Sequence, residues 1–545
     1  MNPAQQASLR DADSFDYVIV GSGAAGAILA NRLSAGGASV CVLEAGPPDR
    51  SPFLHIPAGF IKAVFNPTYA WQFSSEPTPL TNGRRVPIPQ GRTLGGSTSI
   101  NGLVYNRGQA ADYDHWASLG NAGWSYEEVL PYFKSMERRA GGDDRYRGRD
   151  GELPVSDIDW IHPLCEAFMA GAQELGMPRN PDYNGASQAG VGYFQRTIDR
   201  GWRMSTARCF LKPAQARHAL TVRTHAQATR ILFDGLRAAG VAYCDPRQPS
   251  AARAVKARRE VIVSSGAINT PKLLQLSGLG PAEFLRGQGI AVVRDLPGVG
   301  ENLSDHYSVR VVARVKNMQT MNQLVKGLRL AGQIGRWLLK KPSIMALSPS
   351  LLHYFWQSRP GLDAPDLQGV FTPASYKEGY VGVLDDFPGM TTGIWQHRPQ
   401  SRGQVRVRSS DPMQDPVINA NYLAHPDDQI TLVRGIRLAR SLLQSQALAQ
   451  YFDGESLPGA LCQSDDELLH FARQYGVSSY HVNGTARMGP ADDPLAVVDP
   501  QLRVRGVQAL RVVDSSVIPA MPSANICAAT MMIGNKAADL IRRTG

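Results

Sequence analysis

The residue types and spacings of this chain point to two kinds of chemistry. Gly21, Gly23 and Gly26 form a GxGxxG turn, and Glu44 follows 23 residues after Gly21. In such a turn the first glycine permits the tight bend, the second lets the backbone approach a pyrophosphate, and the third allows close helix packing. Free N–H groups at the start of the following helix attract phosphate charge. Glu44, at the end of the next apolar run, is placed to accept hydrogen bonds from an adenosine ribose. An acid there disfavours a 2′-phosphate, so FAD or NAD is preferred to NADP and the turn does not choose between them. The glycines alone also fit an ordinary glycine-rich turn. The second chemistry is proton abstraction from a hydroxyl, for which a neutral histidine is the natural base near pH 7. There are eleven histidines, and composition does not choose among them.

The elements that position the dinucleotide turn are legible. Tyr17 to Val20 is a β-branched apolar run ending in GSGAAG, Ala27 to Leu33 carries good helix formers, Gly36 and Gly37 stop that helix, and Val40 to Leu43 is a second run. Strand, turn, helix and strand within about 30 residues make a βαβ unit and imply a parallel sheet. Further strands are expected at Glu260 to Val263 and Leu510 to Asp514, with a helix starting at Thr270 and Pro271 and a closing helix from Ala528 to Arg543. The sheet therefore draws on both ends of the chain. Residues 306–464, irregular and rich in aromatics, fit a second, antiparallel-sheet domain. The expected fold class is α/β, α+β overall: a Rossmann-like FAD-binding domain (1–155, 215–305 and 465–545) interleaved with an antiparallel-sheet substrate domain (156–214 and 306–464). Residues 1–15 read as a polar tail.

Composition narrows the functional classes. The chain has 545 residues, so two to four domains or one elaborated fold are expected at roughly 100–200 residues per domain. A net charge of +10, without a block of five like charges, gives no nucleic-acid stripe. Six cysteines at wide spacings without CxxC suggest neither a zinc site nor a disulfide framework, and no metal is expected. The first residues lack a basic and an apolar signal region, and no window approaches 18 apolar residues, so neither a signal peptide nor a membrane span is expected. The expected location is the cytoplasm, with peripheral membrane contact as a variant.

Longer blocks carry a resemblance. GRTLGGSTSINGLVYNRGQAADYD (Gly91 to Asp114) and GAINTPKLLQLSGLG (Gly266 to Gly280) resemble the two signatures of the glucose-methanol-choline (GMC) family of flavin oxidoreductases. LPGVGENLSDH (Leu296 to His306), YHVNGTARMG and RVVDSSVIPAMPSANICAATMMIGNKAADLI are similar to its C-terminal part. The resemblance runs from residue 16 to about 541 and implies FAD. It also implies that Gly21, Gly23, Ala24, Ala25, Gly26, Glu44, Gly95, Gly96, Ser97, Asn101, Gly102, Val104, Ala228, Asp514, Asn525 and Ile526 bind the cofactor. Relatives that attach FAD covalently have a histidine before the asparagine of the first signature. Ile100 stands there, so the cofactor is expected to be non-covalent. Tyr105 is a further candidate for the flavin wall.

The same resemblance assigns catalysis to His481, as the base facing the flavin, and to Asn525, as a donor to the substrate oxygen. Asn525 also fits a helix N-cap. His306 reads more readily as a folding contact at a domain border, while His353, Trp356, Trp395 and His397 divide evenly between pocket wall and sheet core. The implied activity is oxidation of a primary alcohol to the aldehyde, with hydride passing to flavin N5 and a quinone, cytochrome, dye or O2 as electron acceptor. The bacterial choline-type and alkanol-type branch looks nearest. Ser343 to Pro360, which corresponds loosely to the family's cation-binding stretch, contains no acid, so choline itself is disfavoured. The alternatives are a non-redox or photochemical enzyme on the same scaffold, resembling a hydroxynitrile lyase or a fatty acid photodecarboxylase, and a non-catalytic nucleotide-binding module.

Overall fold

A computed structural model describes residues 12–377 and 383–544 of the chain. Residues 1–11 of the expected tail lie outside it, and the first strand already begins within the expected tail, spanning Ser14–Val20.

The apolar run of that strand lies at the centre of a seven-stranded sheet. Val18 to Val20 pair in parallel with Cys41 to Leu43 on one side and with Val261 to Val263 on the other. Leu220–Arg223 extends the parallel part at one edge, and Leu510–Val512 pairs with the 261–263 stretch. An antiparallel meander formed by Gln227–Asp234, Arg237–Asp245 and the start of Gln248–Val263 completes the sheet. Strands buried on both faces read as unbroken β-branched runs, which explains why this half was visible in the sequence. The helix Gly26–Ala35 covers one face with Ile28, Leu29 and Leu33. The terminal helix, Cys527–Thr544, crosses it so closely that a Cβ on Gly534 would lie 2.8 Å from the Ala25 Cα.

The second sheet also has seven strands. Phe452–Leu457, Tyr307–Val315, Gly389–Gln396, Leu367–Thr372, Leu352–Trp356 and Gly190–Tyr193 follow one another in antiparallel pairing, and Val477–Ser478 joins Tyr307–Val315. Its faces divide by the two-residue period of a strand. Val309, Val311, Phe371, Met390 and Ile394 face a core shared with the helices Pro163–Glu174 and Pro426–Leu443. Their neighbours Ser308, Arg310, Val370, Thr372, Thr391, Gly393 and Trp395 face a cavity between the sheets. Residues 306–464 are thus far more regular than their aromatic, turn-rich sequence suggests.

The helix expected at Thr270 and Pro271 instead begins at Gly266 and runs to Leu276, with Pro271 inside it. Proline there removes the N–H that would bond the Ala267 carbonyl four residues earlier. The Thr485 hydroxyl donates to that carbonyl at 2.7 Å, and Thr270 Oγ1 donates to Asp514 Oδ2 at 2.6 Å. Tertiary hydrogen bonds thus stand in where local sequence signals indicate a helix start. No described helix is long and apolar enough to cross a membrane.

Candidate active site

The cavity between the sheets has a volume of about 450 Å³ and runs from the glycine turn to the second sheet. The three turn glycines do different things there. A Cβ on Gly21, at φ +99, would lie 2.3 Å from the Ser264 carbonyl oxygen, and one on Gly26 would lie 2.0 Å from the Gly21 carbonyl oxygen. Gly23 has nothing within 4 Å of that position and opens onto the cavity. Gly21, Ala24 and Ala25 line the cavity with it. Gly26 does not; it acts through packing and does not touch the site.

The second glycine-rich segment lies against the first. The Gly95 N–H donates to the Ser22 carbonyl at 3.0 Å, and a Cβ on Gly96 would approach the Gly23 Cα to 2.8 Å. Gly96 and Ser97 reach the cavity, whereas Gly95, at φ +86 and crowded by Ser99 Oγ, shapes the turn from behind. Beyond them Asn101, Gly102 and Val104 form a wall. Asn101 is fixed by Arg203, whose Nη1 donates to its Oδ1 at 2.9 Å. Tyr105 is not on that wall: it is buried, and its hydroxyl accepts from Arg107 Nε at 3.3 Å.

At the glycine end, Glu44 is buried and faces the cavity beside Ala228. Its carboxylate accepts from the Ser22 N–H at 3.1 Å, from the Ser22 hydroxyl at 2.6 Å and from the Gly46 N–H at 2.9 Å. Burial raises its pKa against the lowering effect of these donors. Asp514, also on the cavity, accepts from Gly266 N–H, Thr270, and both the N–H and hydroxyl of Ser516. It thereby fixes the N-terminus of helix Gly266–Leu276. An open glycine, two helix N-termini and a carboxylate at the end of the second strand fit the diphosphate and ribose of a dinucleotide.

At the opposite end, the side chain of Asn525 does not cap the terminal helix, which starts at Cys527. Asn525 Nδ2 lies 3.1 Å from His481 Nε2, and its Oδ1 accepts from Gln368 Nε2 at 3.1 Å. Asn525, Ile526 and His481 all line the cavity. His306, the expected border contact, touches His481 directly: the two Nδ1 atoms are 2.9 Å apart. His306 Nε2 lies 2.7 Å from the His397 carbonyl oxygen.

These contacts determine the proton positions. A carbonyl oxygen can only accept, so His306 carries its proton on Nε2, leaving Nδ1 as acceptor. His481 therefore donates from Nδ1, leaving a lone pair on Nε2 that receives the Asn525 amide. Both rings are neutral: burial pushes His306 down to about 4. For His481, burial, followed by the neighbouring His306, pushes the pKa well below 6.5. The His481 backbone is held as firmly as its ring. Its N–H donates to Asp305 Oδ1 at 2.8 Å, and Tyr422 and Ser478 donate to Asp305 Oδ2. Burial pushes Asp305 up to about 6. Tyr480, immediately before His481, lies at φ +64, a strained conformation that turns the chain at this point.

Of the aromatic and histidine candidates in the second sheet, only Trp395 reaches the cavity. His353 is buried among Tyr183, Phe194 and Phe355, and His397 lies in the core against Phe355. Arg310 and Gln368 were missed from sequence. Their signal was the alternation of the strands that carry them, which puts Ser308 with Arg310, and Gln368 with Val370 and Thr372, on the cavity side. Among the described residues, Glu44 and Asp514 are the only carboxylates lining the cavity, both at the glycine end.

Comparison with known proteins places these features in context. The GMC oxidoreductase family profile matches residues 15–308 in its N-terminal part and 399–534 in its C-terminal part. An oxygen-dependent choline dehydrogenase of Brucella ovis is 41% identical over 528 residues, covering 96% of this chain and 95% of that protein. Among solved structures, a pyridoxine 4-oxidase from Mesorbium loti superposes with a TM-score of 0.88 at 28% identity, covering 97% of this chain and 99% of the other. A formate oxidase of Aspergillus oryzae RIB40 gives a TM-score of 0.91 at 26% identity, with 98% and 99% covered.

Proposed function

The chain belongs to the GMC oxidoreductase family of FAD-dependent enzymes acting on CH–OH groups, and from that premise we propose that it oxidises a primary, non-cationic alcohol to the aldehyde, with His481 as base. The observation that carries this reading is the unprotonated His481 Nε2 facing the Asn525 amide across 3.1 Å at the cavity wall. An alcohol hydroxyl that displaces the amide from Nε2 donates its proton there, and the freed Asn525 Nδ2 donates to its oxygen. Proton loss builds negative charge on that oxygen, where the amide stabilises it as an oxyanion donor does. Gln368 fixes the direction of the amide, and His306 holds His481 in the tautomer that accepts. When bound, FAD supplies the acceptor for the carbinol hydride at its N5.

Gly21, Gly23, Ala24, Ala25, Glu44, Gly96, Ser97, Asn101, Gly102, Val104, Ala228, Asp514, Asn525 and Ile526 would contact the cofactor, with Gly26 and Gly95 shaping the turns behind them. Ile100 lines the cavity and offers no atom for a covalent link, so FAD would be held non-covalently and released by acid. The substrate end is formed by Arg310, Trp395, Tyr376 and small hydroxyl residues, without a described carboxylate. A quaternary ammonium group is best held beside an acid, and among the described residues the substrate end offers none. This supports a neutral alcohol rather than choline, although curated relatives carry the choline dehydrogenase name. The electron acceptor we favour is a quinone, cytochrome or dye rather than O2.

Anaerobic bleaching of the purified yellow protein by a panel of aliphatic, benzylic, furanic and polyol alcohols, with choline alongside, tests the reading. Bleaching by a non-cationic alcohol is expected. Bleaching by choline alone would overturn the substrate class, and bleaching by none of them would favour a non-redox or photochemical use of the scaffold. Hydrogen peroxide formed as fast as a dye is reduced would overturn the acceptor.

A further inference from the structure

The helix Gly327–Leu338 has no buried residue. Its inner side is identified by its contacts. Trp337 Nε1 donates to the Gly201 carbonyl at 2.9 Å, its ring lies edge-on to Trp202, and Gln333 Oε1 accepts from the Ile344 N–H at 3.2 Å. Residues 333 and 337 are one turn apart, so the face opposite them carries Leu328, Ala331, Leu338 and, just past the helix, Leu339. Leu328 is 91% exposed, Leu338 67% and Leu339 69%. A helix on a water-facing surface does the reverse, burying its apolar stripe and exposing its charges.

Charge argues for what covers this crest. Lys326, Arg329, Arg336, Lys340 and Lys341 fall within or beside the helix, and the sequence from 306 to 362 contains no Asp or Glu. Arg329 and Arg336, two turns apart, fall on one side of the crest, and Lys340 and Lys341 follow just past the helix end. Lys326 lies 3.8 Å from Asp386 and Arg336 Nε donates to the Pro342 carbonyl at 2.9 Å, while among the described residues Arg329, Arg336, Lys340 and Lys341 enter no ion pair. A protein partner could cover an apolar crest, but an apolar crest bordered by basic residues in an acid-free stretch matches the acyl and headgroup layers of an anionic bilayer in depth and in sign.

The surroundings extend the same surface. The turn Ile344–Ala346, which packs on this helix, also contacts Pro57–Gly59. That turn leads into Phe60–Ala63, where Ile61, Lys62 and, beyond it, Phe65 are exposed. Phe60 and Val64, alternating with them, line the cavity.

We propose that Gly327–Leu338 and its neighbour 57–65 form a docking surface for an anionic lipid bilayer, seating the Phe60 and Val64 wall of the cavity at the membrane. The proposal does not depend on the chemistry assigned above, because vesicle binding is read without turnover. The test is flotation of the holoprotein with phosphatidylcholine vesicles, with and without phosphatidylglycerol. Flotation is expected with phosphatidylglycerol and is expected to decrease with salt. Leu338→Glu with Leu339→Glu should weaken binding more than about tenfold. Arg329→Gln and Lys340→Gln should each weaken it roughly fivefold. Retained yellow colour and an unchanged circular dichroism spectrum show that the variants fold. No flotation with phosphatidylglycerol, or unchanged flotation of the double glutamate variant, would overturn the proposal. So would a wild-type oligomer that the double variant dissociates without lipid being bound, because a second copy then covers the crest.

Discussion

Replacing His306 tests the hydrogen-bond chain behind the base. His306→Phe keeps a ring of similar size but removes the acceptor 2.9 Å from His481 Nδ1. A buried N–H left without a partner costs about 1–3 kcal/mol. His481 avoids that cost by moving its proton to Nε2, the atom that must accept from the alcohol. Restoring the reactive tautomer then adds the same 1–3 kcal/mol to the barrier, a slowing of roughly 5- to 150-fold. His306→Asn places an amide oxygen near the lost Nδ1 and should recover most of the rate, although it loses the bond to the His397 carbonyl. Anaerobic stopped-flow reduction by a saturating alcohol measures this directly, and the loss should fall on the limiting rate constant rather than on substrate affinity. FAD content should not change. A phenylalanine variant within about twofold of wild type, or asparagine and phenylalanine variants that behave alike, would refute the tautomer argument.

Three further outcomes are expected. Asn525→Ala should slow flavin reduction by about 10²–10³, the usual effect of losing one oxyanion donor, with stopped-flow at several alcohol concentrations as the check. Glu44→Gln should weaken FAD retention on dialysis by about 1.5–3 kcal/mol, because an amide cannot accept from Ser22, Gly46 and a ribose together; unchanged retention would count against Glu44 as the ribose acceptor. Among the described residues neither ring nitrogen of His353 has a hydrogen-bond partner, and burial pushes its pKa down from 6.5 to about 3. The unfolded chain therefore takes up a proton below pH 6.5 that the folded one refuses. Stability is complete above 6.5 and falls toward pH 3 by about 1.4 kcal/mol per pH unit. His353→Leu removes that dependence and should gain about 2 kcal/mol relative to wild type on going from pH 8 to pH 5, as measured by denaturant titration.

The dinucleotide half was readable because its signals are local. Val18 to Val20 and Val40 to Leu43 are buried on both faces, so their sequence is continuously apolar, and two of the glycines between them, Gly21 and Gly26, are required by backbone contacts near 2 Å. The helix start at Gly266 was not readable because Asp514 and Thr485, more than 200 residues away, satisfy its exposed groups. The His481 and Asn525 pairing came from resemblance, not spacing: 44 residues separate them, and only the crossing of the chain brings them together. His306 carried no signal of its own, since its role depends on a carbonyl at 397 and a ring at 481. Arg310 and Gln368 were concealed by a region of irregular composition whose strand alternation is clear only once the pairing is known.

The central claim is that His481 takes the hydroxyl proton, and the most direct measurement is anaerobic stopped-flow reduction of the flavin in wild type and His481→Ala, with an alcohol deuterated at the carbinol carbon alongside the light one. The account predicts that the variant keeps its FAD and is reduced about 10²–10⁴ more slowly, and that deuteration slows the wild type. Because burial and His306 hold the His481 pKa well below 6.5, the wild-type rate should be flat from pH 8 to 6.5 and fall only at lower pH, where the ring takes up a proton and can no longer accept one. A His481→Ala protein that reduces its flavin at the wild-type rate would contradict the account and place the base on another residue.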